Sequence, residues 1–268
     1  MSTTIEVAKV LAYSDNVAAP HSYRLFDVPV CVESMSDALR RVHEAISSRR
    51  QLHIGVVNAA KIVNMLRDPE LRAAVIDSDV IYADGISVVW ASRFLKMPLP
   101  QRIAGIDLMT AILERGNTEG YRVFCLGATD EVLGKVCDTF AERYPGLTIA
   151  GRHHGYFGES EEEAVAQLIK AASPDVLLVA ITSPKKERFM AKWADVIDVP
   201  VVHGVGGSFD VVAGLVKRAP AAWQRMGLEW LYRVKQEPRR LWKRYLVTNT
   251  LFAKLLILEK FKAVHRTR

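Results

Sequence analysis

From residue 30 onward, the apolar positions switch between two periods. Short, nearly unbroken apolar runs occur at 52–58, 80–83, 122–128, 147–151, 175–180 and 200–203. Between them lie stretches with apolar residues every three or four positions, as in 36–48, where Leu39, Val42 and Ile46 share one face. Further helical stretches are predicted at 59–66, 68–76, 107–115, 131–144 and 160–172, and Pro69 suits the first turn of its helix. Strands that are apolar on both faces and separated by helices imply a mostly parallel sheet covered on both sides. The predicted class is therefore α/β, a Rossmann-like sheet with helices on both faces. Residues 1–29 show little periodicity and are predicted to be an N-terminal leader. Residues 30–214 form the predicted α/β core.

The pattern changes again after residue 214. Pro220 and Pro238 punctuate two predicted helices. Trp223, Gly227, Trp230, Leu231 and Val234 are assigned to one face of the first. Leu241, Trp242, Tyr245, Leu246, Phe252, Leu255 and Leu256 form a predicted apolar stripe on the second, beside Arg239, Arg240, Lys243 and Arg244. Charge makes this segment distinct. Residues 215–268 hold fourteen Lys/Arg against three Asp/Glu, a net of +11, whereas the whole chain carries +6, so the first 214 residues carry −5. A basic face interleaved with Trp, Tyr and Leu is the composition of helices that lie in a membrane interface. The same segment would serve equally as a helical layer with a solvated basic rim, or, in a non-enzymatic α/β module, as a nucleic-acid surface. No helix-turn-helix or RNA-binding signature accompanies the charge.

Composition narrows the setting. Cys31, Cys125 and Cys137 lack metal spacing and are expected to be buried, reduced thiols. The N-terminus lacks a signal-peptide pattern, and no run approaches ~20 apolar residues. A cytoplasmic protein resting on the inner membrane face is expected.

Parallel sheets place ligands at the carboxyl ends of their strands, where Asn58, Asp84, Gly127, Ser183 and Gly204 fall. Asp84, followed by Gly85, suits a general base within hydrogen-bond reach of a hydroxyl, and it equally suits a turn. Arg102 either clamps a phosphate or pairs with a surface carboxylate. Gly204, Val205, Gly206 and Gly207 form either an anion-binding loop before a helix or a tight turn. Lys185, Lys186 and Glu187 form a site edge or merely a charged helix start. Asp77-Ser78-Asp79 reads as a solvated connection and His153-His154 as structural or exposed, so no metal is predicted. The G-x-G-x-x-G fingerprint, the Walker loop and the G-x-S-x-G elbow are all missing, which disfavours a nicotinamide-dependent oxidoreductase.

One ordered set of pieces is more specific than any single piece. Asn58-Ala59, Tyr82-Ala83-Asp84-Gly85, Arg102-x-x-Gly105-x-Asp107, Phe124-x-Leu126-Gly127 and Ser183-Pro184-Lys185-Lys186-Glu187 occur in order. Gly204-Val205-Gly206-Gly207-x-Phe209-Asp210, Lys217-Arg218-Ala219-Pro220 and Leu228-Glu229-Trp230 complete it. Over about residues 30–245 the chain resembles the WecG/TagA/CpsF glycosyltransferases. The resemblance implies inverting, metal-independent transfer, with no cofactor, of a sugar from a UDP-sugar to a polyprenyl-diphosphate-linked saccharide for cell-surface polysaccharide. It implies Asp84 as base and Arg102 as diphosphate ligand. Asn58, Gly127, Lys186, Gly204, Gly206, Gly207 and Asp210 are then expected around the substrates. The appendage 215–268 is expected to close over the site and attach to the membrane, with Arg218, Arg225 and Arg233 as contributors. Nucleic acid is not an expected partner, and a homo-oligomer is left open. Two departures stand out. Val56 replaces a Thr common in the family, and Lys186 replaces a Gln. A cation at that edge changes contacts to sugar or phosphate, so a hexose donor is as compatible as N-acetylmannosamine.

Overall fold

The computed structural model describes residues 20–266; residues 1–19 of the predicted leader lie outside the described residues. The described remainder of that leader is structured. β1 (Ser22–Leu25) and β2 (Val28–Cys31) form an antiparallel hairpin with Leu25, Phe26 and Val28 buried in the core. Strands of four residues are too short for alternation to be legible, so their order comes from packing.

The central sheet has six parallel strands in the order β4-β3-β8-β7-β5-β6: β3 (Leu52–Val57), β4 (Val80–Ala83), β5 (Arg122–Gly127), β6 (Thr148–His153), β7 (Val176–Ala180) and β8 (Val201–Gly204). β3, β4, β7 and β8 are almost wholly buried, which explains their unbroken apolar runs. The helices cover both faces. α1 (Met35–Ser47) starts at a capping box of Ser34 and Asp37, and α2 (Ala59–Met65) and α3 (Pro69–Ile76) are capped by Asn58 and Asp68. α4 (Ile86–Phe94) and α5 (Gly105–Glu119) follow β4. α6 (Asp130–Arg143), α7 (Glu162–Ala172), α8 (Lys185–Lys192) and the short α9 (Ala194–Ile197) link the strands up to β8. The chain builds β3 and β4 outward in one direction, then crosses over and returns to place β8 beside β3. Such a change of direction opens a crevice at the strand ends.

α10 (Ser208–Val212) leads into the appendage, made of α11 (Ala221–Arg225), α12 (Glu229–Gln236) and α13 (Pro238–Arg266). Two expectations for it are corrected. The first tail helix is broken at Gly227, whose φ of 71° lies in the left-handed region. A Cβ there would come within 2.6 Å of both Ile86 and Trp90, so the turn is pressed onto α4 and requires glycine. The apolar stripe of the second helix is two faces, not one. Leu241 and Phe252 are buried, and Leu251, Leu255 and Leu256 pack on the core around Val63 and Phe26. The Phe252 and Phe26 rings lie 5.1 Å apart. Trp242 and Leu246 remain exposed, because the body covers only one side of a 29-residue helix. Among the described residues no helix is long and apolar enough to cross a membrane.

Candidate active site

Register alone brings the first two candidates together. β3 and β4 are parallel neighbours with Val57 opposite Ala83, so Asn58 and Asp84 leave the sheet side by side. Asn58 caps α2 through Oδ1, which accepts from the Lys61 N–H at 3.0 Å, and its Nδ2 donates to Asp84 Oδ2 at 3.3 Å. The other Asp84 oxygen accepts from the Gly105 N–H at 2.9 Å, at the first residue of α5. A helix N-terminus carries partial positive charge, which suits an acceptor there, and both Asp84 oxygens are held in place as acceptors. Asp84 is half-buried and keeps a path to solvent. Close approach continues at Gly85, where a Cβ would stand 3.0 Å from that of Asn58.

His203, not singled out by its sequence context, completes this corner. It is fully buried at the end of β8, and its Nε2 lies 2.9 Å from the Gly105 carbonyl oxygen. Gly105 is therefore held through its N–H by Asp84 and through its carbonyl by His203. Burial, which disfavours the imidazolium, pushes the His203 pKa down to about 4, so the ring is neutral at pH 7 and donates through Nε2. A buried histidine inside a strand gives no local sequence signal, because its partner is 98 residues away.

A second cluster lies against Gly204 at the end of β8. Lys61 Nζ is 2.8 Å and Lys186 Nζ 3.4 Å from the same Glu187 oxygen, and Lys186 and Glu187 are both buried. Burial, with Lys61 nearby, lowers the Lys186 pKa to about 8. For Glu187, burial works upward but is outweighed by Lys61 and Lys186, and its pKa falls to about 2. Two cations share one carboxylate, leaving one positive charge over. That cluster abuts the glycine loop: a Cβ on Gly204 would be 2.9 Å from the Lys186 Cδ and Cε, and one on Gly206 3.8 Å from its Nζ.

The glycine loop is less open to an anion than its composition suggests. The N–H groups of Val205 and Gly206 both donate to the Val179 carbonyl, and the Ser208 N–H donates to the Val205 carbonyl. α10 has only five residues and little dipole to offer. The loop is a tight strand-to-helix turn, with Gly206 at φ 54° and Gly207 exposed at its tip. Gly127 is likewise structural in part: its φ is 132°, and a Cβ would fall 2.4 Å from the Ala180 carbonyl oxygen. Asp210 is half-buried on α10, and its backbone carbonyl accepts from Leu215 and Val216 at the start of the appendage.

Arg102 shows how the appendage reaches the core. Its Nη2 lies 3.1 Å from Glu229 of α12 and 3.7 Å from Asp107. Arg218 lies 2.6 Å from Asp107, and its Nε is 4.0 Å from Glu229. Two arginines and two carboxylates thus form a quartet joining α12 and the α10–α11 connection to the start of α5. Arg225 and Arg233 are exposed and stand outside it. Asp107 and Glu229 belonged to the ordered motif set, but their pairing was invisible in it. Lys185 donates to the Phe157 and Gly155 carbonyls and sits 4.1 Å over the Phe157 ring, so it pins a loop. Asp79 accepts from the His53 N–H at 2.7 Å, which makes it a strand clamp rather than a solvated residue. Cys31, Cys125 and Cys137 are buried and free. His153 Nδ1 bonds the His154 carbonyl, and among the described residues no group of three or more His, Cys, Asp or Glu could hold a metal ion.

A doubly wound parallel sheet with a fixed carboxylate at its strand ends and an arginine–carboxylate quartet at the start of α5 has the layout of a ligand-binding crevice. Comparison with known proteins makes the class specific. The profile of the glycosyl transferase WecG/TagA/CpsF family matches residues 23–266. An N-acetylglucosaminyldiphosphoundecaprenol N-acetyl-β-D-mannosaminyltransferase of Bacillus spizizenii is 39% identical over 181 residues, 68% of this chain and 69% of that protein. The chain belongs to the WecG/TagA/CpsF family and is a glycosyltransferase. Membership sets aside the alternative of a non-enzymatic nucleic-acid module.

Proposed function

We propose that the enzyme transfers a hexose or N-acetylhexosamine from a UDP-sugar to a polyprenyl-diphosphate-linked amino sugar, with inversion, in building a cell-surface polysaccharide. The acceptor class follows the name of the relative. The carrying observation is the Asp84 carboxylate, held by Gly105 and Asn58 at the mouth of the crevice. In this reading Asp84 takes the proton of the acceptor hydroxyl as its oxygen attacks the anomeric carbon from the face opposite UDP. The bond to the diphosphate oxygen breaks in the same displacement. Charge developing on UDP is met by Arg102 and Lys186, with Arg218 contributing from the appendage; Arg225 and Arg233 would join only after α11 and α12 shift. Asn58 orients the base, while Gly127, Gly204, Gly206, Gly207 and Asp210 shape the wall along the nucleotide. No residue is assigned to a metal, and the mechanism uses no cofactor.

The division of labour follows from the chain's organisation. The core carries the chemistry, and the basic appendage 215–268 both covers Arg102 and holds the enzyme to the inner membrane face. A panel of UDP-sugars, with UDP release measured against a polyprenyl-diphosphate-linked N-acetylglucosamine acceptor, tests the reaction. Release with one donor, dependent on acceptor and unchanged by EDTA, is expected. Loss of transfer with EDTA and recovery with Mg²⁺ or Mn²⁺ would overturn the metal-independent mechanism.

A further inference from the structure

We infer that the catalytic core touches the bilayer directly, through α4, so that Trp90 and Phe94 join the outward face of α13 in one surface for anionic lipid. α4 is the helix that begins two residues after Asp84. Its inner positions Val88, Val89, Ala91 and Ser92 are buried, whereas Trp90 and Phe94, one turn apart, are 50% and 51% exposed. Single exposed apolar residues are ordinary, but an exposed aromatic cluster is not.

Two contacts tie this face to the appendage. Lys260 of α13 donates to the Phe94 carbonyl at 2.7 Å and lies 5.0 Å from the Phe94 ring. That brings the end of α13, with Ile257 55% and Phe261 62% exposed, beside the end of α4. At the other end the Gly227 turn presses on Trp90, next to exposed Met226. Arg93 and Lys96 lie at the end of α4 and just beyond it, and Lys260 and Lys262 lie near the end of α13. The nearby carboxylate of Glu259 is engaged by Lys262 at 3.7 Å. Exposed aromatic side chains on elements that also carry Lys and Arg, one of them over the Phe94 ring, match the interface of an anionic leaflet. A second copy of the chain fits worse. A two-fold contact sets the same patch against itself, which would oppose these cations to one another.

The arrangement has a functional consequence, which rests on the acceptor being lipid-linked. α4 spans nine residues, about 13 Å at ~1.5 Å per residue. With its end on the lipid, this rigid spacer would fix the height of Asp84 above the headgroups, where a membrane-held acceptor presents its sugar.

The full-length protein is sedimented with vesicles of phosphatidylcholine alone and with added phosphatidylglycerol, comparing wild type, Phe94→Ser and Phe94→Trp. Phe94 is exposed, so unchanged circular dichroism and Tm are expected. Phe94→Ser should weaken binding to anionic vesicles about tenfold and Phe94→Trp should restore it. A solvatochromic label on Phe94→Cys should shift to the blue on vesicle addition. Binding of Phe94→Ser within twofold of wild type, with the label remaining in water, would overturn the inference and leave α13 as the sole anchor. A change in oligomeric state of Phe94→Ser without vesicles would overturn it in favour of self-association. In turnover assays Phe94→Ser should match wild type with a short-chain soluble acceptor and fall about tenfold with a vesicle-borne one. If wild type turns over neither acceptor, the proposed reaction fails, while the vesicle measurements still judge the surface.

Discussion

Asp84→Asn separates a catalytic carboxylate from a structural one, because the surroundings of Asp84 allow an amide no neutral substitution. Both oxygens of Asp84 accept hydrogen bonds, one from the Gly105 N–H at 2.9 Å and one from Asn58 Nδ2 at 3.3 Å. Asn58 cannot reverse its amide without losing the Lys61 N–H that its Oδ1 accepts. An asparagine at 84 therefore sets its own NH₂ against a donor in either orientation, and one bond is lost. The site is half-buried, so the expected cost is about 0.5–1.5 kcal/mol, or roughly 2–5 °C in Tm for a chain of this size. That leaves the protein folded at assay temperature. Loss of a general base, by contrast, costs ~10²–10⁴ in rate. UDP release with lipid-linked acceptor at saturating donor gives kcat, and calorimetric titration gives UDP affinity. The expected result is kcat down at least a hundredfold with UDP affinity within about threefold. Turnover within tenfold of wild type would refute the assignment, as would a fall in rate matched by an equal fall in UDP affinity.

Other outcomes follow from the charged clusters. Glu229→Gln frees Arg102 from its 3.1 Å partner; if Arg102 binds diphosphate, UDP should bind about fivefold tighter, since the competing contact is worth roughly 1 kcal/mol, and unchanged or weaker binding in titration would make Arg102 structural. Lys186, held near a pKa of about 8 by burial, is a cation below that pH, so kcat/KM should decline above about pH 8, and Lys186→Gln should remove that limb while weakening UDP binding about tenfold. His203 titrates near 4 when folded and ~6.5 when unfolded. Between these values the unfolded chain binds more protons, so stability is full above pH ~6.5 and falls toward pH 4 by at most about 3 kcal/mol. Thermal unfolding across that window should be visibly flatter for His203→Gln.

The amino-acid sequence by itself determined the class of fold and which residues end the strands of its sheet. Buried parallel strands must be apolar on both faces, so 80–83 and 122–127 could be read almost to the residue, and the residues that end them had to lie on the crevice. Short elements were harder. β1 and α4 have too few turns of pattern, and the break at Gly227 became legible only as a backbone pressed against Trp90. The sequence also marked Asp84, Arg102 and Lys186, because each is a charged residue at a strand end, in a connection or at a helix start where packing does not demand one. Only the tertiary structure decided what those charges do to each other. Glu229 meets Arg102 across 127 residues of chain, and His203 meets Gly105 across 98. Such pairings depend on which strands become neighbours, a property of the whole sheet that no local pattern encodes. The same holds for the basic tail. Its amphipathic composition was plain, but which side of α13 faces the body was fixed by the hydrophobic ground offered by α2 and the hairpin.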